Sequence, residues 1–376
     1  MNQKELYNKC RGSLVAGAAG DALGYPVEFL RLDMIHKRFG DSGITEYVSL
    51  EEVAEISDDT QMTLFTAEGL LNAFAKDNQP QLSALQCNVA VSYLYWYRTQ
   101  GNKFKSSRKE SWLVYLKDLW ACRAPGNTCL SSLKSIVDGR DNFNASKGCG
   151  GIMRVAPVAI YAASHKGVMS LREVGKFAGC TAFITHDHPL STLSTAMFSM
   201  IQYMCLTQDG ITKELFEKFV LDSFELTREL YPKEEVHLSY LKKVVDNALT
   251  VAKFASSDEE VLPYVGDGWV AEETLAIALF SVLRHIDSVE DCLVCAVNHG
   301  GDSDSTGAVA GNLIGAILGH DAIPAKFLDR LELRDIIETV ADDLCASPDS
   351  PDDSERLKKR YKEHLPFGIP AKYLNQ

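Results

Sequence analysis

The chain has 376 residues, 46% of them hydrophobic, and its 51 acidic against 38 basic side chains give a formal charge of −13. That length admits two average domains or one large helical domain with a sizeable core. The charge argues against a protein that grips nucleic acid through a general basic surface, because such binding needs Lys and Arg against the phosphates; small-molecule or protein substrates fit better.

The opening "MNQKELYNKC" lacks the basic-then-apolar order of a secretory signal, and no run reaches the roughly 18 apolar residues of a membrane helix. A soluble cytoplasmic protein with no membrane partner is therefore expected. The ten cysteines lie mostly inside apolar helical patterns and lack the density of a disulfide scaffold, which suits a reducing compartment. Apolar residues at i, i+3, i+4 and i+7 predict helices over about 4–19, 60–76, 80–99, 111–121, 151–165, 170–183, 189–206, 213–229, 238–255, 271–286, 288–298, 305–318 and 325–345. Convincing alternating strands are absent. "LSTLSTAMFSMIQYMCL", "AEETLAIALFSVLRHI" and "GAVAGNLIGAILG" are apolar around much of their circumference, so these helices should be central and the fold an all-α bundle. Glycine and polar residues gather between helices, in "GDALGYP", "RAPGNT", "SKGCGG", "THDHP", "YVGDG" and "NHGGDSD". Residues 346–354, "SPDSPDDSE", read as solvated and lead into a last helix.

Three acidic constellations stand at predicted helix ends. In "SDDTQM", Asp58 and Asp59 head a helix, and Asp58 with Gln61 three residues on has the pattern of a capping box, the favoured reading of that motif alone. In "NHGGDSDST", Asp302 and Asp304 are followed by Ser305; a cap needs one carboxylate, whereas this set aims several hard oxygens at one spot, as Mg²⁺ or Ca²⁺ prefers. An EF-hand fails, since its twelfth position falls on Leu313 instead of a glutamate. In "GDALGYPVEF", Asp21 and Glu28 flank a turn and singly would be read as solvated. Three such clusters meeting at one end of a bundle could hold two divalent cations about 3.5–4 Å apart.

"SKGCGGIMRVAPV" sets Gly148, Cys149, Gly150 and Gly151 before an apolar helix, where backbone N–H groups and the helix terminus can receive an anion. It is no Walker loop, and Met153 occupies the third-glycine position of a dinucleotide fingerprint. His186 of "THDHP" reads as a substrate contact, while "CLVC" at 292–295 reads as helix-face thiols, as does Cys149. Arg123 and Arg154 default to structural ion pairs.

Taken in chain order, "GSLVAGAAGDALGYPVEF", "SDDTQMTLFTAEGLL", "RAPGNTCLSSL", "KGCGGIMRVAPV", "THDHP", "GDGWVAEETLAIAL" and "NHGGDSDSTGAVAGNLIGA" together resemble the ADP-ribosylglycohydrolase family. The resemblance runs from about residue 8 to 335 and implies a single all-α orthogonal helical bundle over 1–376, with 336–376 as a C-terminal helical extension. It also implies a binuclear Mg²⁺ (or Mn²⁺) centre and removal of ADP-ribose from a modified protein side chain or small conjugate; a monomer is expected, and the acidic balance disfavours nucleic acid as a partner. By position, Ser57, Asp58, Asp59, Asp302, Asp304 and Ser305 match the family's metal ligands. Glu28 matches an acidic residue that takes part in catalysis, with Asp58 or Asp59 orienting the attacking water. Gly148 to Gly151 and His186 match positions that hold diphosphate and ribose, and Tyr264 or Trp269 would stack on adenine.

"SDDTQM" and "DSDST" look more like the arginine-specific branch, which includes the bacterial dinitrogenase reductase-activating glycohydrolases, than the serine-acting branch with its "DTDT". ADP-ribosylarginine is thus the expected substrate, with serine, nucleic-acid or small-molecule conjugates as alternatives. Two rival readings are a non-catalytic protein that keeps the fold and a metal-dependent phosphoesterase acting on a nucleotide. Clustered carboxylates, whose repulsion a scaffold has no need to bear, count against the first.

Overall fold

The computed structural model describes residues 2–48, 53–106, 110–258, 262–347 and 349–375. Helices α1 (Gln3–Gly24), α2 (Leu32–Phe39), α3 (Asp58–Phe74), α4 (Leu82–Thr99), α5 (Asn127–Val137) and α6 (Ala156–Ser164) make up the first half. They are followed by α7 (Leu171–Phe183), α8 (Pro189–Thr207), α9 (Lys213–Leu230), α10 (Glu235–Phe254) and α11 (Ala271–Arg284). The chain ends with α12 (Val289–Val297), α13 (Ser303–Leu318), α14 (Ala325–Leu328), α15 (Arg334–Leu344) and α16 (Pro351–Leu357). Among the described residues there are only isolated β-bridges and no strand, so the all-α expectation holds. None of these helices is long and apolar enough to cross a membrane, and the ten cysteines are unbonded.

The organising contact joins α1 to α13. Along α1, Gly12, Ala16, Gly20 and Gly24 recur every four residues and so share one helix face. A Cβ built on Gly20 would lie 2.0 Å from the Gly307 carbonyl oxygen, one on Gly311 2.1 Å from that of Ala16, and one on Gly315 2.2 Å from that of Gly12. The two backbones therefore touch along an antiparallel seam that only hydrogen or methyl side chains permit. The seam fixes register as well as distance: Gly24, where α1 ends, lies against Ser303 and Asp304, where α13 begins. Helices α6, α8 and α11 pack around this pair, with α6 buried from Ala156 through Ala163.

Two predicted helices are broken up in the structure, and the one expected over 151–165 begins only at Ala156. Residues 111–121 form 3-10 turns, Leu113–Tyr115 and Lys117–Trp120, because Leu116 is extended to bridge Leu374 and the Tyr115 carbonyl accepts from the Asn375 amide. The expected helix 325–345 is split into α14 and α15: Ala54 pairs with the intervening chain, donating to the Arg330 carbonyl and accepting from the Glu332 amide. Helices α2 and α5 are additions to the predicted set.

Candidate active site

Asp21, three residues before the end of α1, turns its buried carboxylate to the head of α3. It accepts from the Ser57 amide at 3.0 Å, the Thr60 amide at 3.0 Å and the Thr60 hydroxyl. This bond set pins the third constellation to the first, just as the glycine seam pins it to the second. The capping-box expectation is corrected here: Ser57 is the N-cap, its hydroxyl accepting from the Asp59 amide at 3.2 Å. Gln61 is turned away, donating to the Ala121 carbonyl and accepting from the Trp96 indole. Asp58 and Asp59 are thereby released from capping. At α13, Asp302 occupies the N-cap position without making a side-chain cap bond, so its carboxylate is likewise not spent on capping. Its amide donates to the Asp267 carbonyl at 2.8 Å, and a Cβ on Gly301 would collide with that same oxygen, so "GDGW" buttresses "GGDSD".

These elements enclose a cavity of about 450 Å³. Its wall carries Glu28, Asp58, Asp59, Asp302 and Asp304 and, among the described residues, no lysine or arginine. Gly126 donates its amide to Asp58 at 3.2 Å and Ser305 its amide to Asp304 at 3.0 Å. Glu28 Oε2, Asp59 Oδ2 and Asp302 Oδ2 are buried with no hydrogen-bond partner. Glu28, Asp302 and Asp304 each offer an oxygen within 4.8 Å of the others. Burial, and after it the charge of Asp304, pushes Asp58, Asp59 and Asp302 well above the carboxylate range and Glu28 up to about 10. Asp304 itself is raised by burial, and Asp21 is raised to about 7 by burial and then Asp304. Buried carboxylates are ordinarily paired, so orphaned oxygens converging on one space, with a serine hydroxyl beside them, suit hard divalent cations.

The opposite wall is the glycine loop. Cys149–Gly151 forms a 3-10 turn and α6 starts only at Ala156, so the loop is not at a helix N-terminus as its sequence suggested. The turn is anchored from outside: Cys149 donates to the Trp269 carbonyl, and Ala271 to that of Lys147. A Cβ on Gly148 would stand 3.3 Å from His186 Nε2, and one on Gly150 2.7 Å from His186 Cε1. The missing side chains leave the His186 ring edge open to the cavity, which His186 lines with Gly148, Cys149 and Gly150. Gly151 faces away, toward Ala182 and Ser191, and Ser57 is likewise absent from the wall.

Of the two aromatic candidates, Trp269 lines the cavity and stacks on Phe29 with centroids 5.3 Å apart and planes at 24°. Tyr264 is 77% exposed and outside the lining. Phe29 was missed from the sequence; its φ of +66° projects the ring from the turn that carries Glu28. Glu28, Phe29 and Ala124 also belong to a second cleft of about 1020 Å³. There Arg123 has the expected ion pairs, with Glu332 and Glu55. Asp258, His285 and Cys295 form another group of metal-type side chains outside both spaces, with Asp258 bound by Arg284 and His285. Cys292 and Cys295 are buried on α12, as the helix-face reading of "CLVC" has it.

A family model described as ADP-ribosylglycohydrolase matches residues 2–353. ADP-ribosylarginine hydrolase Tri1 of Serratia proteamaculans is 24% identical over 347 residues, 91% of this chain and 80% of that protein. ADP-ribosylhydrolase ARH3 of Bos taurus is 25% identical over 222 residues, 54% of this chain and 58% of that protein. In fold, the chain is similar to a solved "ADP-ribosylglycohydrolase-related protein complex", with a TM-score of 0.58 at 23% identity over 91% of this chain and 98% of that one. With a match across nearly its whole length, and the acidic helix ends gathered around one cavity, the chain belongs to the ADP-ribosylglycohydrolase family.

Proposed function

We propose that the protein is a divalent-metal-dependent hydrolase that releases ADP-ribose from modified protein, with the N-glycosidic bond of ADP-ribosylarginine as its substrate. The observation that carries this reading is the set of orphaned, uncompensated carboxylate oxygens facing a glycine-walled recess. Asp58, Asp59, Asp302, Asp304, Ser57 and Ser305 would hold two Mg²⁺ (or Mn²⁺) ions. When bound, the ions supply positive charge against ribose hydroxyls and a water molecule.

The chain's own groups do the rest. Cleavage at the ribose C1″ passes through an oxocarbenium-like state, which favours a carboxylate on each side of the bond. Asp58 and Asp59 orient the water, and Glu28, at the junction of the two clefts, moves a proton between water and leaving nitrogen. Gly148, Gly150 and His186 receive the diphosphate and the ribose beside it, and Trp269 with Phe29 the adenine. The larger cleft, which Glu28 shares, has room for the modified side chain. The arginine assignment is supported by "SDDTQM" and "DSDST" and by the Serratia relative.

The test is release of free ADP-ribose from a mono-ADP-ribosylated arginine protein, with Mg²⁺ and with EDTA, beside a serine-linked substrate. Mg²⁺-dependent release from arginine is expected. Release from serine alone would move the linkage. No release from either, without stabilisation by ADP-ribose and metal, would leave a non-catalytic relative of the family.

A further inference from the structure

Arg154 was expected to be an ion-pair partner, and it is not one. Its side chain is fully buried, yet no carboxylate among the described residues lies within ion-pair distance. A guanidinium stays charged in a protein, and a buried unpaired charge is costly, so such a group calls for an explanation. Its surroundings are specific. The guanidinium lies over the Tyr93 ring at 4.3 Å, Nη1 reaches Met62 and Cys129 sulfurs at 3.4 Å, and Nη2 donates to the Thr185 hydroxyl at 2.6 Å. That hydroxyl is 2.8 Å from His186 Nδ1.

The donor accounting, taken with the charge, has a preferred direction. Arg154 can only donate, so the Thr185 oxygen is its acceptor and the Thr185 proton is available to His186 Nδ1. A proton on Nδ1 would point toward the cation. Repulsion from the guanidinium thus favours the ring's own proton on Nε2, the edge that Gly148 and Gly150 leave uncovered. Burial and then the Arg154 charge depress His186 to about 3, which keeps the ring neutral. Cys129, against which Arg154 rests, lines the cavity and would be 3.0 Å from a Cβ on Gly150, so the positive charge stands one side chain behind the glycine loop.

We propose that Arg154 is a positioning residue for the anionic part of the substrate: through Thr185 it fixes His186 as an Nε2–H donor into the cavity, and the ligand's diphosphate is the counter-charge the fold withholds. The inference rests on the ADP-ribose reading above. It also explains why the anion site has no lysine or arginine on its surface: a cation there would pair with the carboxylates opposite, whereas one behind the loop attracts the diphosphate without reaching them.

The experiment uses Mg²⁺-loaded protein. Thr185→Val is nearly isosteric, cuts the link and leaves Arg154 in place, and the Thr185 carbonyl keeps its bonds from Ser132 and Asn144. Its dissociation constant for ADP-ribose should rise about tenfold, the effect of losing one well-placed hydrogen bond. KM should rise with kcat within about twofold, since the contact is remote from C1″. Thr185→Ser should restore both, and Arg154→Met should weaken binding further. Nitrogen-15 spectra of histidine-labelled protein, with His186 assigned by its loss in His186→Ala, should show the Nε2–H tautomer. An Nδ1–H tautomer, or unchanged binding in Thr185→Val while the wild type binds ADP-ribose, overturns this inference alone. A wild type that binds no ADP-ribose overturns the functional reading and this inference with it.

Discussion

Two regions of the molecule bury aspartate and treat it in opposite ways. Near the C-terminus, Asp343 is fully buried and saturated: Arg356 donates to one oxygen at 2.5 Å, and Arg360 and Tyr361 to the other at 2.6 and 2.7 Å. Around the cavity, Asp58, Asp59, Asp302 and Asp304 are just as buried, but neither Lys nor Arg reaches them. A fold that needs a buried carboxylate for structure supplies its counter-charges from within the chain. On the proposed reading, the carboxylates left unanswered take their counter-charge from bound cations, and Arg154 takes its own from the substrate's diphosphate.

The comparison is broken most severely if Asp304→Asn keeps its activity. That variant should lose well over about a hundredfold in turnover, since even outer-shell changes at metal sites cost about 10–100-fold. It should also melt at a higher temperature than wild type in EDTA, because one repelling charge is gone. Release assays and calorimetric melting check the two halves. For the wild type, Mg²⁺ after EDTA should raise the melting temperature in a concentration-dependent way, as any ligand of the folded state does. Asp343→Asn should behave oppositely, losing about 3–5 kcal/mol in urea titration, because the buried Arg360 loses its carboxylate and Arg356 keeps only Asp353, with turnover per folded molecule unchanged.

Gly20→Ala tests the link between the regions: its methyl meets the Gly307 carbonyl, so about 1–3 kcal/mol should be lost, together with Mg²⁺ affinity as α1 and α13 part. The smallest effect is at Asp258. Burial raises this carboxyl, but the His285 and Arg284 bonds outweigh it and hold it down at about 2. A carboxyl depressed in the folded state contributes stability that is present above its unfolded value of about 3.9 and lost as pH falls through about 2. Asp258→Asn should therefore narrow the gap in stability between pH 6 and pH 2.5, read by melting at each pH.

Much of this was legible in the sequence where local pattern decides the structure. Helices such as α4, α7, α8 and α9 follow from their apolar spacing to within two residues. The small-residue run of α13 reads as buried, but that its partner is α1 does not follow from either segment, since the pairing depends on residues nearly three hundred positions apart. Gln61 shows the limit from the other side. Its spacing from Asp58 has the form of a cap, while Trp96 and Ala121, which take its amide, belong to elements no local window contains. Glu28, Asp58, Asp59, Asp302 and Asp304 were nominated by residue type and motif order. Their convergence, the exposure of Tyr264 and the isolation of Arg154 needed three dimensions.

The glycine seam also dictates when the site can exist. Gly20 meets Gly307, and Asp304 lies beside the end of α1, so the acidic wall joins segments nearly three hundred residues apart. During synthesis α1 emerges first, with its small-residue face unpaired until α13 follows, and contacts of such sequence separation form late. The nascent chain thus carries Glu28, Asp58 and Asp59 but no completed acidic wall until α13 has been made, and a product truncated before residue 303 would keep these three and Asp302 while lacking Asp304 and the seam that brings them together.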